Sequence, residues 1–99
     1  MKGVLISFLA ALSLPFSANA ESYDLGVARI QYPKIEKLME NSKKFAEVGD
    51  WEAACSKRRL ANDLMELNFE GLQEMKPDMD WFAYRKINLE IEDLVCSVR

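Results

Sequence analysis

The sequence contains no histidine, only two cysteines and only three prolines among its 99 residues. Histidine is the usual general base near neutral pH and the commonest metal ligand, so its absence excludes Cys-His and Ser-His catalysis. Two cysteines without histidine also fall short of a structural zinc set. The four glycines stand far apart, so the chain has no glycine-rich loop for phosphate. These absences predict a protein that is not an enzyme and that holds no metal or cofactor.

Two other chemistries use residues that the sequence does contain. Glu66, Glu70 and Glu74 could act as paired carboxylates, and Met75 and Met79 could hold copper(I), a soft ion that prefers sulfur. Acids spaced by four on a helix more commonly form a solvated face, and methionines commonly fill the apolar end of a helical hairpin. We therefore expect neither catalysis nor copper binding.

Residues 1–20 have the three parts of a secretory signal peptide. Lys2 provides a minimal positive start, Val4 to Phe16 form an apolar run, and small residues lead up to Ala20. The apolar run is shorter than the roughly 20 residues of a membrane span, and no cysteine follows the cleavage site for a lipid anchor. The pattern predicts cleavage after Ala20 and export to the periplasm or the extracellular space, without membrane insertion after cleavage.

Cleavage would leave 79 residues with 12 basic and 16 acidic side chains, because only Lys2 is lost. This acidic balance argues against general nucleic-acid binding. A chain of this size buries only about 60% of its unfolded surface and gains from a covalent link. Cys55 and Cys96 are predicted to form that link, since disulfides persist outside the cytosol; two free thiols or an intermolecular bridge are the alternatives.

Apolar residues at helical spacing predict an all-α protein, a small antiparallel three-helix bundle. Gly49 suits the left-handed position that ends a helix, and Asp50 can cap the next one. Pro33 is suited to the first turn of a helix, and Pro77 is expected to end the helix that precedes it. Residues 21–32 could form an N-terminal arm or a short helix. The expected helices cover about 33–48, 51–75 and 79–98.

The second predicted helix is apolar on both sides of a narrow polar stripe, so we expect it to lie between two neighbours. Cys55 and Cys96 stand at similar distances before and after the turn near Pro77, so antiparallel helices would bring them to the same end of the bundle. Arg58 lies on an apolar side of this helix. It could extend to solvent, stack on Trp51 or reach an acidic partner.

The third predicted helix carries two apolar rows on nearly opposite sides. One row is Phe82, Leu89 and Cys96, spaced by seven. If the disulfide holds Cys96 against the second helix, Phe82 and Leu89 should face it too, and the other row needs a different cover. We expect the first helix or residues 21–32 to cover it; an exposed row would instead mark a dimer or partner site. The candidate partner-binding residues are Ile87, Ile91, Leu94, Val98 and Arg58.

Residues 38–61 resemble one unit of the tetratricopeptide repeat, a helical hairpin of about 34 residues. Gly49-Asp50-Trp51 resembles the turn of that motif, and Leu38, Ser42, Phe45, Ala54 and Ala61 fall at its packing positions. Arg58 and Glu66 depart from the motif, which usually has a large apolar residue and a proline there. The resemblance implies an antiparallel hairpin and a peptide- or protein-binding role.

Together these observations predict a small exported, non-enzymatic helical protein that acts as a protein- or peptide-binding module of the cell envelope. Its partner would be an unidentified protein or peptide, or a second copy of the chain in a homodimer, and not nucleic acid. The alternative is a small envelope chaperone or stress-response factor that exposes apolar helix faces when its fold loosens.

Overall fold

The computed structural model describes residues 22–98, and this part of the chain is all-helical. Its four helices are α1 (Tyr23–Glu47), α2 (Trp51–Leu67), α3 (Phe69–Met75) and α4 (Trp81–Ser97). The all-α class is confirmed, but the prediction of three helices is wrong for the described range. None of the helices within 22–98 has both the length and the apolar character that a membrane crossing requires. The predicted signal peptide, residues 1–20, lies outside the described residues.

The first helix begins at Tyr23 and not near Pro33, as the sequence had indicated. Ser22 caps it: the Leu25 N–H donates to Ser22 Oγ at 2.9 Å, and Ser22 Oγ donates to Glu74 Oε1 on α3 at 2.6 Å. The segment 21–32, predicted to be an arm or a short helix, is therefore the first part of α1 from Tyr23 onward.

Pro33 lies inside α1, where a proline costs about 3 kcal/mol or more of helix stability. Tertiary contacts on both sides of it offset this cost. Ala28, Ile35 and Ser42 are buried at intervals of seven residues, and α1 packs along both α2 and α3. Burial of one continuous stripe thus keeps the helix intact across a residue that normally starts or ends one.

The turn between α1 and α2 has the predicted form. Gly49 adopts a φ of 81°, the left-handed conformation that glycine tolerates without strain. The Ala53 N–H donates to Asp50 Oδ1 at 3.2 Å and so caps α2. Across the hairpin, the buried Ser42 hydroxyl donates to the Ala54 carbonyl at 2.7 Å, which fixes the two helices against each other.

The predicted helix over 51–75 is divided at Asn68. The Asn68 backbone, at φ −110° and ψ 16°, leaves helical geometry, and its side-chain amide donates to the Leu64 carbonyl at 2.8 Å. A side chain that bonds its own helix end in this way competes with helix continuation. The redirected segment, α3, packs its Gly71 and Leu72 against the bundle as buried residues.

Gly71 allows the close approach of α3 to α1. A Cβ atom at this position would overlap the Asp24 carbonyl and lie 2.9 Å from Ala28 Cβ. Alanine is normally preferred to glycine in a helix by about 1 kcal/mol, yet here we expect Gly71→Ala to lower the free energy of unfolding by about 1–3 kcal/mol, because backbone atoms must move. Urea unfolding followed by circular dichroism measures this. Equal or higher stability of Gly71→Ala would contradict the close contact.

The hydrophobic core lies between α1, α2, α3 and the start of α4. Its buried members are Ala28, Ile35, Ala61, Met65, Leu72 and Trp81. Trp81 is the largest of them, and its indole N–H donates to the Lys76 carbonyl at 2.9 Å. Asp80 caps α4 by accepting from the Ala83 N–H at 3.0 Å. The core therefore holds the N-terminal end of α4 firmly.

Candidate functional site

The helix α2 lies between α1 and α4, as predicted, but its contact with α4 is polar. Arg58 Nη1 donates to Asn88 Oδ1 at 2.9 Å. Asn62 Nδ2 donates to the Asn88 carbonyl at 3.0 Å and to Glu92 Oε1 at 2.9 Å. Arg58, Asn62 and Asn88 are all buried. The sequence had indicated apolar packing on this side of α2, and that expectation is wrong.

A disulfide joins the same two helices. Cys55 on α2 and Cys96 on α4 are bonded, with their Cα atoms 4.8 Å apart, so the predicted pair is confirmed. The described part of the chain contains no free cysteine. The C-terminal half of α4 is therefore held to α2 by one covalent bond and a few buried polar contacts.

The orientation predicted for α4 from Cys96 is right only in that Phe82 contacts Phe69 of the predicted second helix; Phe82 and Leu89 do not form the buried face. The packing face of α4 carries Trp81, Tyr84 and Asn88, and Cys96 lies at the margin of that face. An α-helix drifts by about 20° per seven residues, so Leu89 and Phe82 lie progressively further from α2. They are accordingly 43% and 63% exposed.

The opposite row of α4 is largely uncovered. Ile87 is 54% exposed, Leu94 68% and Val98 38%, whereas Ile91 is half-buried. The expectation that α1 or residues 21–32 would cover this row is therefore wrong for Ile87, Leu94 and Val98. We call Ile87 and Leu94 the α4 row; Val98 follows the last residue of α4 in extended backbone and lies at the disulfide end with Trp51 and Cys55. The α4 row is an apolar surface directly beside the contact between the helices.

A groove separates α1 from α4 next to the α4 row. The two helices meet near the start of α4, where the Tyr32 and Trp81 rings lie edge to face at 6.1 Å and Tyr84 Oη donates to Met39 Sδ at 3.6 Å. Further along, a hollow of about 480 Å³ that is open to solvent lies between them. We call it the α1–α4 groove; it is lined by Met39, Glu40, Ser42, Lys43, Ala46, Arg58, Ile91 and Val95.

Arg58 is the buried cation of this groove, with only 8% of its surface exposed. Its Nε has no hydrogen-bond partner. Burial lowers the pKa of the guanidinium from its usual value, an effect that the nearby Tyr84 and Glu92 partly oppose. Arg58 therefore neither extends to solvent nor pairs with an acid, two of the outcomes predicted from sequence, and its bonded partner is Asn88 in place of Trp51.

Tyr32 and Tyr84 lie at the end of the groove that is nearest the hydrophobic core. Burial, with a smaller contribution from Glu36, raises the pKa of Tyr32 to about 12. Burial likewise raises the pKa of Tyr84, and Glu36 adds to this. Both phenols therefore stay neutral at physiological pH and act there as hydrogen-bonding groups.

A second and larger hollow, of about 960 Å³, lies at the disulfide end beside Trp51 and Cys55. Its rim mixes acids with Arg59, and Arg59 Nε already faces Glu92 Oε2 at 3.6 Å. Within 22–98 no three histidine, cysteine or acidic side chains are grouped so that they could hold a metal. The α1–α4 groove, which combines apolar walls with a buried cation, is the better candidate site.

The buried contact between Arg58 and Asn88 should make the free energy of unfolding lower than an apolar contact of the same size would. Replacing a buried ion pair by apolar residues of similar size is often stabilising by about 1–4 kcal/mol, and the buried Arg58 cation has the desolvation cost without the attraction of an acidic partner. We expect Arg58→Met with Asn88→Leu to raise the free energy of unfolding by that amount in urea titrations. Arg58→Met alone leaves Asn88 Oδ1 without its donor and should be less stable than the double variant. A double variant less stable than wild type would show that the buried pair stabilises the fold.

No known protein family matches this sequence. Searches of the curated proteins and of the solved structures also find no significant match to the chain.

Proposed function

We propose that this chain is an exported, non-enzymatic helical protein that binds another protein or a peptide through α4 and the adjoining groove. The observation that carries the proposal is the α4 row, where Ile87 and Leu94 are more than half exposed. Contiguous apolar patches on small proteins commonly mark interaction sites. The row continues through the half-buried Ile91 into the α1–α4 groove, so a partner could contact both.

The proposal of export draws on the signal-like residues 1–20 and on the disulfide. A disulfide between α2 and α4 is compatible with an oxidising compartment such as the periplasm. The proposal of a non-enzymatic role draws on the lack of histidine in the sequence. Mass analysis of protein recovered from the exporting cells should give a chain that begins at Glu21. A chain that retains Lys2 would contradict cleavage.

Site-specific photo-crosslinking tests the binding surface. A photoreactive phenylalanine placed at Leu94 should give a discrete heavier product in intact cells. The same residue placed at Leu67 should give no such product. Leu67 is 81% exposed and lies at the C-terminal end of α2, far from the disulfide. Ile87→Glu in the Leu94 probe should abolish the product, because a charge in the apolar row must be desolvated on binding. Equal labelling from both positions, or no product from Leu94, would contradict the proposal.

The alternative, an envelope chaperone, is favoured by apolar side chains that are exposed elsewhere. Leu60 on α2 and Phe82 on α4 are about half exposed or more, away from the α4 row. A chaperone should suppress aggregation of an unfolded client after mild heat or acid treatment and bind a hydrophobic dye under the same conditions. The crosslinking experiment separates the two functions. A chaperone should give many crosslinked products, and it should give them from probes at several positions.

A further inference from the structure

The α1–α4 groove contains a positive charge with which no acid among residues 22–98 forms an ion pair. Arg58 is 8% exposed, and one of its guanidinium nitrogens, Nη1, bonds the neutral Asn88 side chain. Its Nε is buried without a partner. Among the described residues no carboxylate lies within 4.0 Å of this guanidinium. A buried cation is normally paired with an anion, so this one is suited to an anion from outside.

Two acids close to Arg58 or to the groove rim contact other side chains. Glu92 accepts from Asn62 and lies 3.6 Å from Arg59 Nε. Glu40, at the rim of the groove, lies 3.8 Å from Lys44. Glu92 therefore offsets the charge of Arg58 only in part, and neither acid forms an ion pair with it. Lys43, also at the rim, adds a second positive charge on the α1 side.

The shape of the groove favours a polypeptide helix over a small lipid. Small ligands are held in cavities that bury most of their surface, whereas this groove is open. Its α1 wall runs from Met39 to Ala46, which is ~10 Å at 1.5 Å per residue, or about two helical turns. Its other wall is Ile91 and Val95 of α4. An amphipathic helix laid between two helices would use these walls for its apolar face.

We propose that the α1–α4 groove binds an apolar helix of a partner protein and that Arg58 pairs with one aspartate or glutamate on that helix. The inference rests on the proposed function, because it gives the chemistry of the partner at the same surface. The planar guanidinium can bind a carboxylate through two parallel hydrogen bonds, which a lysine cannot do. A partner helix without the acid would leave the Arg58 cation buried and unpaired, so it should bind the groove more weakly than a helix with the acid.

A displayed library of helical peptides tests this chemistry with the full chain purified from cells that export it. The peptides have about 14 residues, enough for the two turns of the groove plus flanks, and their apolar-face positions are fully randomised. We expect selected peptides to carry aspartate or glutamate at one position of an otherwise apolar face. Changing that acid to its amide should weaken binding roughly 10- to 100-fold.

Variants of the chain complete the experiment. Arg58→Met should remove the preference for the acid, while Arg58→Lys should retain part of it; far-UV circular dichroism and the intact disulfide verify that both fold. Ala46→Gln should block the groove by its size without adding a carboxylate beside Arg58, and Leu67→Gln, remote from the groove, should have no effect. The proposal is overturned if no peptide is selected or if the selected peptides lack the acid. It is also overturned if the Arg58→Met variant selects peptides with the same acid.

Two further outcomes identify other occupants and so also overturn it. A dimeric mass in light scattering that Arg58→Met converts to a monomer would show that the occupant is a second copy of the chain. Competition by a fatty acid alone, without peptide binding, would show a lipid site. If the acid preference fails while the Leu94 crosslink persists, the proposed function stands and only the role of Arg58 is withdrawn.

Discussion

Replacing both cysteines in Cys55→Ser/Cys96→Ser is expected to lower the free energy of unfolding by roughly 4 kcal/mol. The bridge joins residues separated by 41 positions, and a cross-link of that span removes about this much loop-closure entropy from the unfolded chain. Domains of this size have only about 0.05–0.15 kcal/mol of stability per residue. The thermal midpoint should therefore fall by roughly 15–30 °C.

The loss should be concentrated in the C-terminal half of α4. That half contacts α2 mainly through buried polar groups, and Leu94 is 68% exposed, so little apolar burial replaces the bond. Hydrogen exchange should show faster exchange at Val95 and its neighbours in the variant, with smaller changes near Trp81. Adding a reductant to wild type should reproduce the result, and adding it to the variant should do nothing. A midpoint within 5 °C of wild type would contradict the stabilisation.

Trp81→Ala is expected to have a comparable effect through a different mechanism. The ring is 2% exposed, the largest fully buried side chain among the described residues. It packs edge to face against Tyr32 at 6.1 Å and Tyr84 at 5.4 Å. Truncating a buried tryptophan costs about 3–5 kcal/mol from lost burial and the cavity that remains. Its removal also leaves the Lys76 carbonyl without the indole donor.

The adjacent Phe82 provides the matched control for this substitution. Phe82 is 63% exposed, and its ring lies edge to face with the Phe69 ring, with the ring centroids 5.2 Å apart. We expect Phe82→Ala to cost less than about 1 kcal/mol, because little of its surface is removed from water on folding. Urea titrations of both variants measure the difference. Equal losses would show that α4 is oriented differently from the arrangement described here.

Local residue chemistry is why the hairpin turn and the starts of α2 and α4 were predicted closely. Gly49 takes a conformation that other residues rarely adopt, and a side-chain carboxylate such as Asp50 satisfies free amides within its own turn. Such effects depend only on neighbours in the chain. The break at Asn68 is also local, yet asparagine is tolerated in many helices, so the residue alone did not indicate it.

The candidate site was found only in part from the sequence. The α4 row and Arg58 were singled out there, because apolar residues and an odd charge at helical spacing are visible in a helical projection. Asn62 and Asn88 were missed, although Asn88 stands seven residues after Trp81 on the same face of α4. A polar residue in register with a large buried aromatic is a signal of a buried hydrogen bond. The groove itself has no sequence signal, since it depends on how α1 and α4 lie relative to each other.

The sequence by itself determined the helical class and the helix-ending turn at Gly49, because these depend on helical periodicity and local hydrogen bonding. It favoured a bridge between Cys55 and Cys96, the only two thiols in the chain, and the structure decided between this bridge and its alternatives. The tertiary structure alone decided that α1 continues through Pro33, that α4 presents Trp81 to the core, and that Arg58 is buried without an acid. Each of these depends on contacts between helices distant in sequence, whose packing outweighs local preferences of a few kcal/mol.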